Sequence, residues 1–207
     1  YEIGVRLVGS EMCIRDSTYG ADGTKLRTVH KIGSTTTTTD YCGNVIYENG
    51  TQKLLLTEEG YINLTGTQQY HYYLKDHQGN NRVVINQSGT VEETNHYYPF
   101  GGVFGTTGNT QPYKYNGKEF DTKKGLNWYD YGARHYDAAL GRFTTNDRFA
   151  EKYYSMSPYQ YGANSPVVNI DVNGDSIRIC TETQSFGHTW ISVGEGSNMT
   201  VYSYGRY

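Results

Sequence analysis

Aliphatic side chains are scarce in this sequence. Of 207 residues, 36% are hydrophobic and 14% are aromatic, leaving about 22% for Ala, Val, Ile, Leu, Met and Cys together. A helical bundle or a Leu/Ala-rich α/β enzyme would need more, since globular chains hold roughly 45–50% apolar residues with glycine included. No apolar run approaches the ~18–20 residues of a membrane span. The longest aliphatic stretch, Leu54-Leu55-Leu56, is strand-sized. Basic charge is not in excess either: a net charge of −3, with 19% charged residues, implies no broad face for nucleic acid. The three cysteines, Cys13, Cys42 and Cys180, are odd in number and far apart, so they form neither a disulfide framework nor a metal set. No secretory signal follows Tyr1, which in a fragment says little about export.

What the chain does have is 22 Tyr and 25 Gly, with abundant Thr. Aromatic and β-branched residues suit a pleated, half-buried surface. Disordered chains lack aromatics, so this composition argues for a folded, mostly β protein. One local pattern recurs from Thr18 onward: strand, Asp/Asn-Gly turn, strand. It appears in Tyr19-Gly20-Ala21-Asp22-Gly23-Thr24-Lys25-Leu26, in Tyr41-Cys42-Gly43-Asn44-Val45, around Gly79 and around Gly89. Glycine supplies positive φ, and a neighbouring Asp or Asn bonds its own backbone. Turn glycines at 23, 43, 60, 79 and 89 are spaced 20, 17, 19 and 10 residues apart, a pattern of stacked hairpins rather than of a rigid repeat. Flanking residues alternate: Arg82, Val84 and Asn86 face one way, Val83, Ile85 and Gln87 the other. Such ribbons cannot bury a face alone and need neighbours. Tyrosine fits that need, with a large ring to bury and a hydroxyl to keep wet or paired. The Thr35–Thr39 run reads as a strand edge, and residues 147–155 could form a short helix or two ended by Pro158.

The opening segment differs in style. Glu11-Met12-Cys13-Ile14-Arg15-Asp16 resembles the in-frame translation of a transposase adapter used in sequencing libraries. Residues 1–17 therefore read as an artefactual segment, and no function is assigned to them.

The remaining motifs resemble a known family. The stretch from Tyr19 to Leu26 resembles the Tyr-Asp (YD) repeat of bacterial Rhs proteins. Tyr70-His71-Tyr72-Tyr73-Leu74-Lys75-Asp76-His77-Gln78-Gly79-Asn80-Asn81-Arg82 resembles the opening of the Rhs repeat-associated core domain. Tyr97-Tyr98-Pro99-Phe100-Gly101 and Tyr113-Lys114-Tyr115-Asn116-Gly117-Lys118-Glu119 follow in the family's order. The most specific piece is Gly125-Leu126-Asn127-Trp128-Tyr129-Asp130-Tyr131-Gly132-Ala133-Arg134-His135-Tyr136-Asp137, running into Leu140-Gly141-Arg142-Phe143, with Ser157-Pro158-Tyr159-Gln160-Tyr161-Gly162 beyond. The resemblance spans roughly residues 18–175. It implies a partial Rhs/YD-repeat shell of stacked β-hairpins. Residues 18–69 would be YD-type hairpins, 70–175 the core domain, and 176–207 the truncated start of a variable C-terminal toxin domain. The family's shell sequesters its own C-terminal toxin, travels by a secretion apparatus to the exterior or the bacterial cell surface, and has a cognate immunity protein. The shell itself implies no cofactor, no metal, no nucleic acid and no membrane span. An open arc of such a shell would be poorly soluble or oligomeric when expressed alone.

The resemblance also implies one candidate chemistry. In the family, two Asp-Pro motifs bring two aspartates together and the chain is cut just after the second. Here Asp147 and Asp171 stand at those places, and Arg142 is expected to hold a carboxylate charged. Two close carboxylates can share a proton and so divide acid and base roles. The sequence departs from the family in that Arg148 and Val172 replace the prolines and Asp175 follows Gly174. The bland alternative is that both aspartates only form turns. Asp171-Val172-Asn173-Gly174-Asp175 lacks the glycine placement and closing Glu of a calcium loop.

In the tail, Gly187-His188-Thr189-Trp190-Ile191-Ser192-Val193 resembles the histidine-bearing strand of papain-like peptidases, so His188 is a candidate catalytic residue of a toxin tip, needing a partner Cys such as Cys180. His71, His77, His96 and His135 read as packed or hydrogen-bonded rings. Glu58-Glu59 and Glu92-Glu93 read as solvated turn charges, and Lys123-Lys124 is too small a pair for nucleic acid. Three functions stay open on the sequence: an encapsulating shell segment, a self-cleaving core with an enzymatic tip, and a carbohydrate- or surface-binding repeat.

Overall fold

The computed structural model describes the backbone of residues 3–9, 13–175, 177–179, 188–193 and 200–205, and side chains from 15 to 175 except that of Lys124. The fold is mostly β, as the composition demands. Eleven strands follow one another: β1 (Ile3–Gly9), β2 (Cys13–Tyr19), β3 (Lys25–Ile32), β4 (Thr35–Cys42), β5 (Val45–Glu48), β6 (Thr51–Leu56), β7 (Gly60–Asn63), β8 (Gln69–Lys75), β9 (Asn81–Asn86), β10 (Val91–Tyr97) and β11 (Val103–Thr107). Strand order is chain order throughout. A four-stranded sheet follows, formed by β12 (Glu119–Asp121), β13 (Trp128–Asp130), β14 (His135–Asp137) and β15 (Arg142–Phe143). Two hairpins come last, β16 (Asn169–Asp171) with β17 (Ile177–Ile179), and β18 (His188–Val193) with β19 (Thr200–Gly205). Contacts divide the chain into two compact units, residues 1–74 with 83–92, and residues 75–82 with 93–207.

Turn chemistry explains the hairpins. Gly23, Gly43, Gly79 and Gly89 adopt φ of +82°, +63°, +77° and +80°, where a Cβ would be strained. Asp22, Asp76 and Asn86 cap these turns by accepting backbone N–H bonds from Thr24, Gln78 and Ser88 at 3.0, 3.0 and 2.9 Å. Gly60 breaks the expectation. It opens β7 opposite Tyr72, and an added Cβ would collide with the His71 carbonyl across the ladder. Gly60 does close the β6–β7 turn, exchanging backbone bonds with Thr57, but without positive φ, and its small size serves the close strand approach. Gly60→Ala should therefore destabilise the first unit by about 1–3 kcal/mol through overpacking, measured by denaturant unfolding. An unchanged midpoint would show that the strands part without penalty.

The threonine run is not a simple edge. β3 pairs along Thr35–Asp40, while β5 takes the other side from Thr39 onward. The helix expected at 147–155 shrinks to one three-residue 3₁₀ turn, Ala150–Lys152.

In the first unit, Ile46 opposes Leu54 across β5 and β6, and both are buried. Tyr61 stacks on its cross-strand partner His71, with ring centroids 4.3 Å apart and planes 2° from parallel. His71 Nε2 lies 2.9 Å from the Glu92 carboxylate.

The second unit is built on tyrosine. Tyr115, Tyr129, Tyr131, Tyr136, Phe143 and Tyr161 form one buried cluster. Each tyrosine hydroxyl finds an acceptor. Tyr115, Tyr136 and Tyr129 donate to the consecutive carbonyls of Pro99, Phe100 and Gly101 at 2.8, 2.8 and 3.0 Å. Tyr131 and Tyr161 donate to Asn116 Oδ1 at 2.7 and 2.6 Å. The rings supply the apolar area that aliphatic residues supply elsewhere, and the hydroxyls pin a loop that has no ladder of its own. Desolvation raises the phenols well above their ordinary pKa, so they stay neutral donors.

Glu93 corrects a sequence expectation. Far from being a solvated turn charge, it is fully buried on β10 and paired with Lys114.

Candidate functional site

Three loops of the second unit meet at one guanidinium. The first is the turn between β13 and β14, where Asp130 Oδ1 accepts the Gly132 N–H at 2.8 Å and Arg134 follows. The second carries Asp147, whose Oδ1 accepts the Phe149 N–H at 2.8 Å and whose own N–H donates to the Pro158 carbonyl at 2.9 Å. The third is the turn after β16, where Asp171 Oδ1 accepts the N–H groups of Asn173 and Gly174 at 3.2 and 2.6 Å. Both aspartates therefore do form turns. That shapes their loops but leaves the second carboxylate oxygen of each turned elsewhere.

Those second oxygens face Arg134. Its Nη2 lies 2.8 Å from Asp147 Oδ2 and 3.7 Å from Asp171 Oδ2. Its Nε donates to the Gly174 carbonyl, and its Nη1 donates to the Pro158 carbonyl at 3.1 Å. The flat face of the group covers Phe143 at 3.8 Å. A planar fork with fixed donors suits this three-way task in a way an ammonium does not. Arg134, Asp147 and Asp171 are about nine-tenths buried or more. Desolvation lowers the Arg134 pKa, while the charges of Asp147, Asp171 and Asp175 oppose that shift.

Glycine at 174 makes the approach possible. Its φ is +86°, and a Cβ there would sit 3.0 Å from the Arg134 backbone nitrogen. The Ala133 N–H adds a bond of 3.0 Å to the Asn173 carbonyl. A shallow cavity lined by Asp147, Ala150, Tyr153, Met156, Ser157, Pro158 and Gln160 opens beside Asp147.

The structure thus brings together Asp147 and Asp171 but places Arg142 elsewhere. Arg142 is exposed and donates to Ser157 Oγ at 3.3 Å. Arg134, which the sequence reading passed over, holds the carboxylates. His188 opens β18, opposite Gly205, but its side chain lies outside the described residues, as does Cys180. Among the other histidines, His77 Nε2 lies 3.5 Å from the Val167 carbonyl and His96 packs on Phe104. Among the described residues, no group of three or more His, Cys, Asp or Glu side chains is placed to hold a metal, and no helix is long and apolar enough to cross a membrane.

No family model matches the chain. The chain is 39% identical over 119 residues to Salivary gland surface protein 1 of Aedes aegypti, a match covering 56% of this chain and 3% of that protein. In fold it is similar to the crystal structure of TcdB2-TccC3-Cdc42, with a TM-score of 0.68 at 20% identity over 83% of this chain and 10% of that one. It is similar also to the Photorhabdus luminescens Tc holotoxin pore carrying an aspartate-to-alanine substitution in TccC3, with a TM-score of 0.69 at 18% identity over 87% of this chain and 10% of that one. The fold is of the β-rich kind found in these toxin complexes. The chain spans 3% of the curated relative and about a tenth of the matched structures.

Proposed function

We propose that this chain is a wall segment of a secreted bacterial toxin carrier of the Rhs type, which precedes and sequesters a C-terminal effector. The supporting observation is the fold likeness to toxin-complex structures over 83% of the chain, combined with a sheet whose strand order is chain order. A ribbon of that kind extends by adding hairpins and needs neighbours to bury its faces. On this reading the partners are the effector that follows, its immunity protein and a secretion apparatus. In the full-length gene product, limited proteolysis should spare the segment after Gly174 at protease levels that digest that segment alone. Equal digestion in both settings would overturn the reading.

The convergence of Asp147 and Asp171 on Arg134 supports a second reading, in which the core cuts its own chain after Gly174. Arg134 Nε polarises the Gly174 carbonyl by donating to it. A carboxylate then takes a proton from water as the water oxygen bonds to that carbon. The carboxyl so formed passes that proton to the Asp175 nitrogen as the peptide bond breaks, leaving a Gly174 carboxyl, an Asp175 amine and the carboxylate restored. Intact-mass measurement should find the two fragments in the full-length product and a single uncut chain with Asp171→Asn. An uncut wild-type chain would remove this reading and leave the wall segment standing.

A further inference from the structure

Two of the three positions at which this chain departs from the pattern it resembles meet in space. Arg148 follows Asp147 where a proline is expected, and Asp175 follows Gly174. Arg148 Nη2 forms an ion pair with Asp175 Oδ2, joining the loop of the first aspartate to the loop of the second. The Asp175 side chain is 3% exposed, whereas that of Arg148 is 66% exposed and also covers Phe149, 4.8 Å from the ring centroid. Among the described residues neither Asp175 carboxylate oxygen accepts a hydrogen bond, so the Arg148 contact is an ion pair. We propose that Arg148 and Asp175 form a latch that holds the Gly174 carbonyl against Arg134, making both of them positioning residues for the aspartate centre.

Geometry gives the latch its purpose. The Gly174 turn is fixed from inside by Asp171, whose Oδ1 takes the Asn173 and Gly174 N–H groups, and by Arg134 Nε at the carbonyl. None of these three bonds reaches past Gly174, and the next backbone tie along the chain is the β16–β17 ladder, where Ile177 pairs with Asp171. Asp175 is the next residue, and its pairing with Arg148 fixes the far side of the same peptide. A proline in either loop would restrain the backbone through φ. This chain uses a charge pair between the loops instead.

A latch of this kind is not a stabiliser. Burial raises the Asp175 carboxyl, and the Asp147 charge adds to that; Arg148 and Arg134 pull it down but do not outweigh the burial. The charged groups facing it are Arg148, Arg134 and Asp147, with Lys118 on the Asp171 side. A carboxyl raised in the folded state favours folding at low pH, and that contribution is lost as pH rises through the raised value. The buried, ionised Asp175 therefore costs stability near neutral pH, and neutralising it, unlike removing Arg148, should relieve that cost.

The positioning role rests on the cleavage reading above; the latch itself does not. Asp175→Asn, Arg148→Met and the double variant are made in the full chain. Hydrogen exchange at the Gly174 amide and thermal unfolding are measured at pH 7, and cleavage is followed by mass. Each single variant should lower Gly174 protection about tenfold, and the double variant no further, because both remove one coupled contact. Asp175→Asn should melt at or above the wild-type temperature while cutting more slowly. Wild-type protection in both singles, additive losses in the double, or a clearly lower melting temperature for Asp175→Asn would each overturn the latch. A wild-type chain that stays uncut while the exchange pattern appears would instead remove the cleavage reading and the positioning role, and leave the latch.

Discussion

Glu93→Gln should destabilise the second unit by about 3–5 kcal/mol, the cost of leaving a buried charge without its partner, and Lys114→Met should cost less. The order follows from an uneven cluster. The Glu93 carboxylate accepts five donors: Lys114 Nζ, Asn95 Nδ2 at 2.6 Å, Gln111 Nε2 at 3.1 Å, and the Thr110 N–H and hydroxyl at 2.8 and 3.2 Å. Burial raises its carboxyl, but the bonds from Asn95, Lys114 and the Thr110 N–H, with the Lys114 charge, outweigh that and hold it below the usual range. Burial lowers the Lys114 ammonium, and Glu93 alone opposes that shift. Removing Lys114 leaves the carboxylate with four donors. Neutralising Glu93 leaves a buried cation facing an amide. Denaturant unfolding at pH 7 reads the difference. Because the Glu93 carboxyl is depressed in the folded state, its contribution is complete above the ordinary value of 4.5 and is lost as pH falls through the depressed one. The gap between wild type and Glu93→Gln should therefore narrow in acid. A larger loss for Lys114→Met than for Glu93→Gln would mean that the other donors do not hold the charge.

Part of this architecture can be read directly from residues. Turn glycines mark their hairpins because glycine alone takes φ near +80° without strain, as Gly23 and Gly89 do. The abundance of tyrosine announces aromatic burial, and the cluster around Tyr131 and Tyr161 delivers it. The hydroxyl acceptors are another matter. Three consecutive carbonyls from Pro99 to Gly101 serve three tyrosines from distant elements, and no local pattern encodes that meeting. Glu93 was hidden for a similar reason. Alternation along β10 turns Glu93 and Asn95 inward, and nothing in the period distinguishes a polar inner face from a polar outer one. Arg134 could have been found. In the two-residue strand β15, Phe143 is buried and Arg142 is exposed. Since successive side chains point to opposite faces, an inward Phe143 forces Arg142 outward. That leaves Arg134 as the guanidinium available to cover Phe143 from the neighbouring turn.

Arg134→Met should destabilise the second unit by about 3–5 kcal/mol, since it strips the counter-charge from buried carboxylates, and Arg134→Lys should recover little of it. The wild-type head makes three separate hydrogen bonds from one plane, to the Asp147 carboxylate and to the Gly174 and Pro158 carbonyls, and lays its face on Phe143 at 3.8 Å. A lysine ammonium has no plane to stack and no fork to reach three acceptors set at different angles. The pH dependence separates lost charge from lost packing. Without Arg134, the burial that already raises Asp175 is opposed by Arg148 alone, and Asp147 and Asp171 lose their shared cation. Carboxyls raised in the folded state contribute stability at low pH and lose it as pH rises. The deficit of Arg134→Met should thus be greatest at neutral pH and shrink in acid, as the raised Asp175 carboxyl takes up its proton. A deficit that stays constant from pH 7 to pH 4 would assign the loss to packing on Phe143. Full stability in Arg134→Lys would show that a point charge suffices, and that the three loops do not depend on the fork for their meeting.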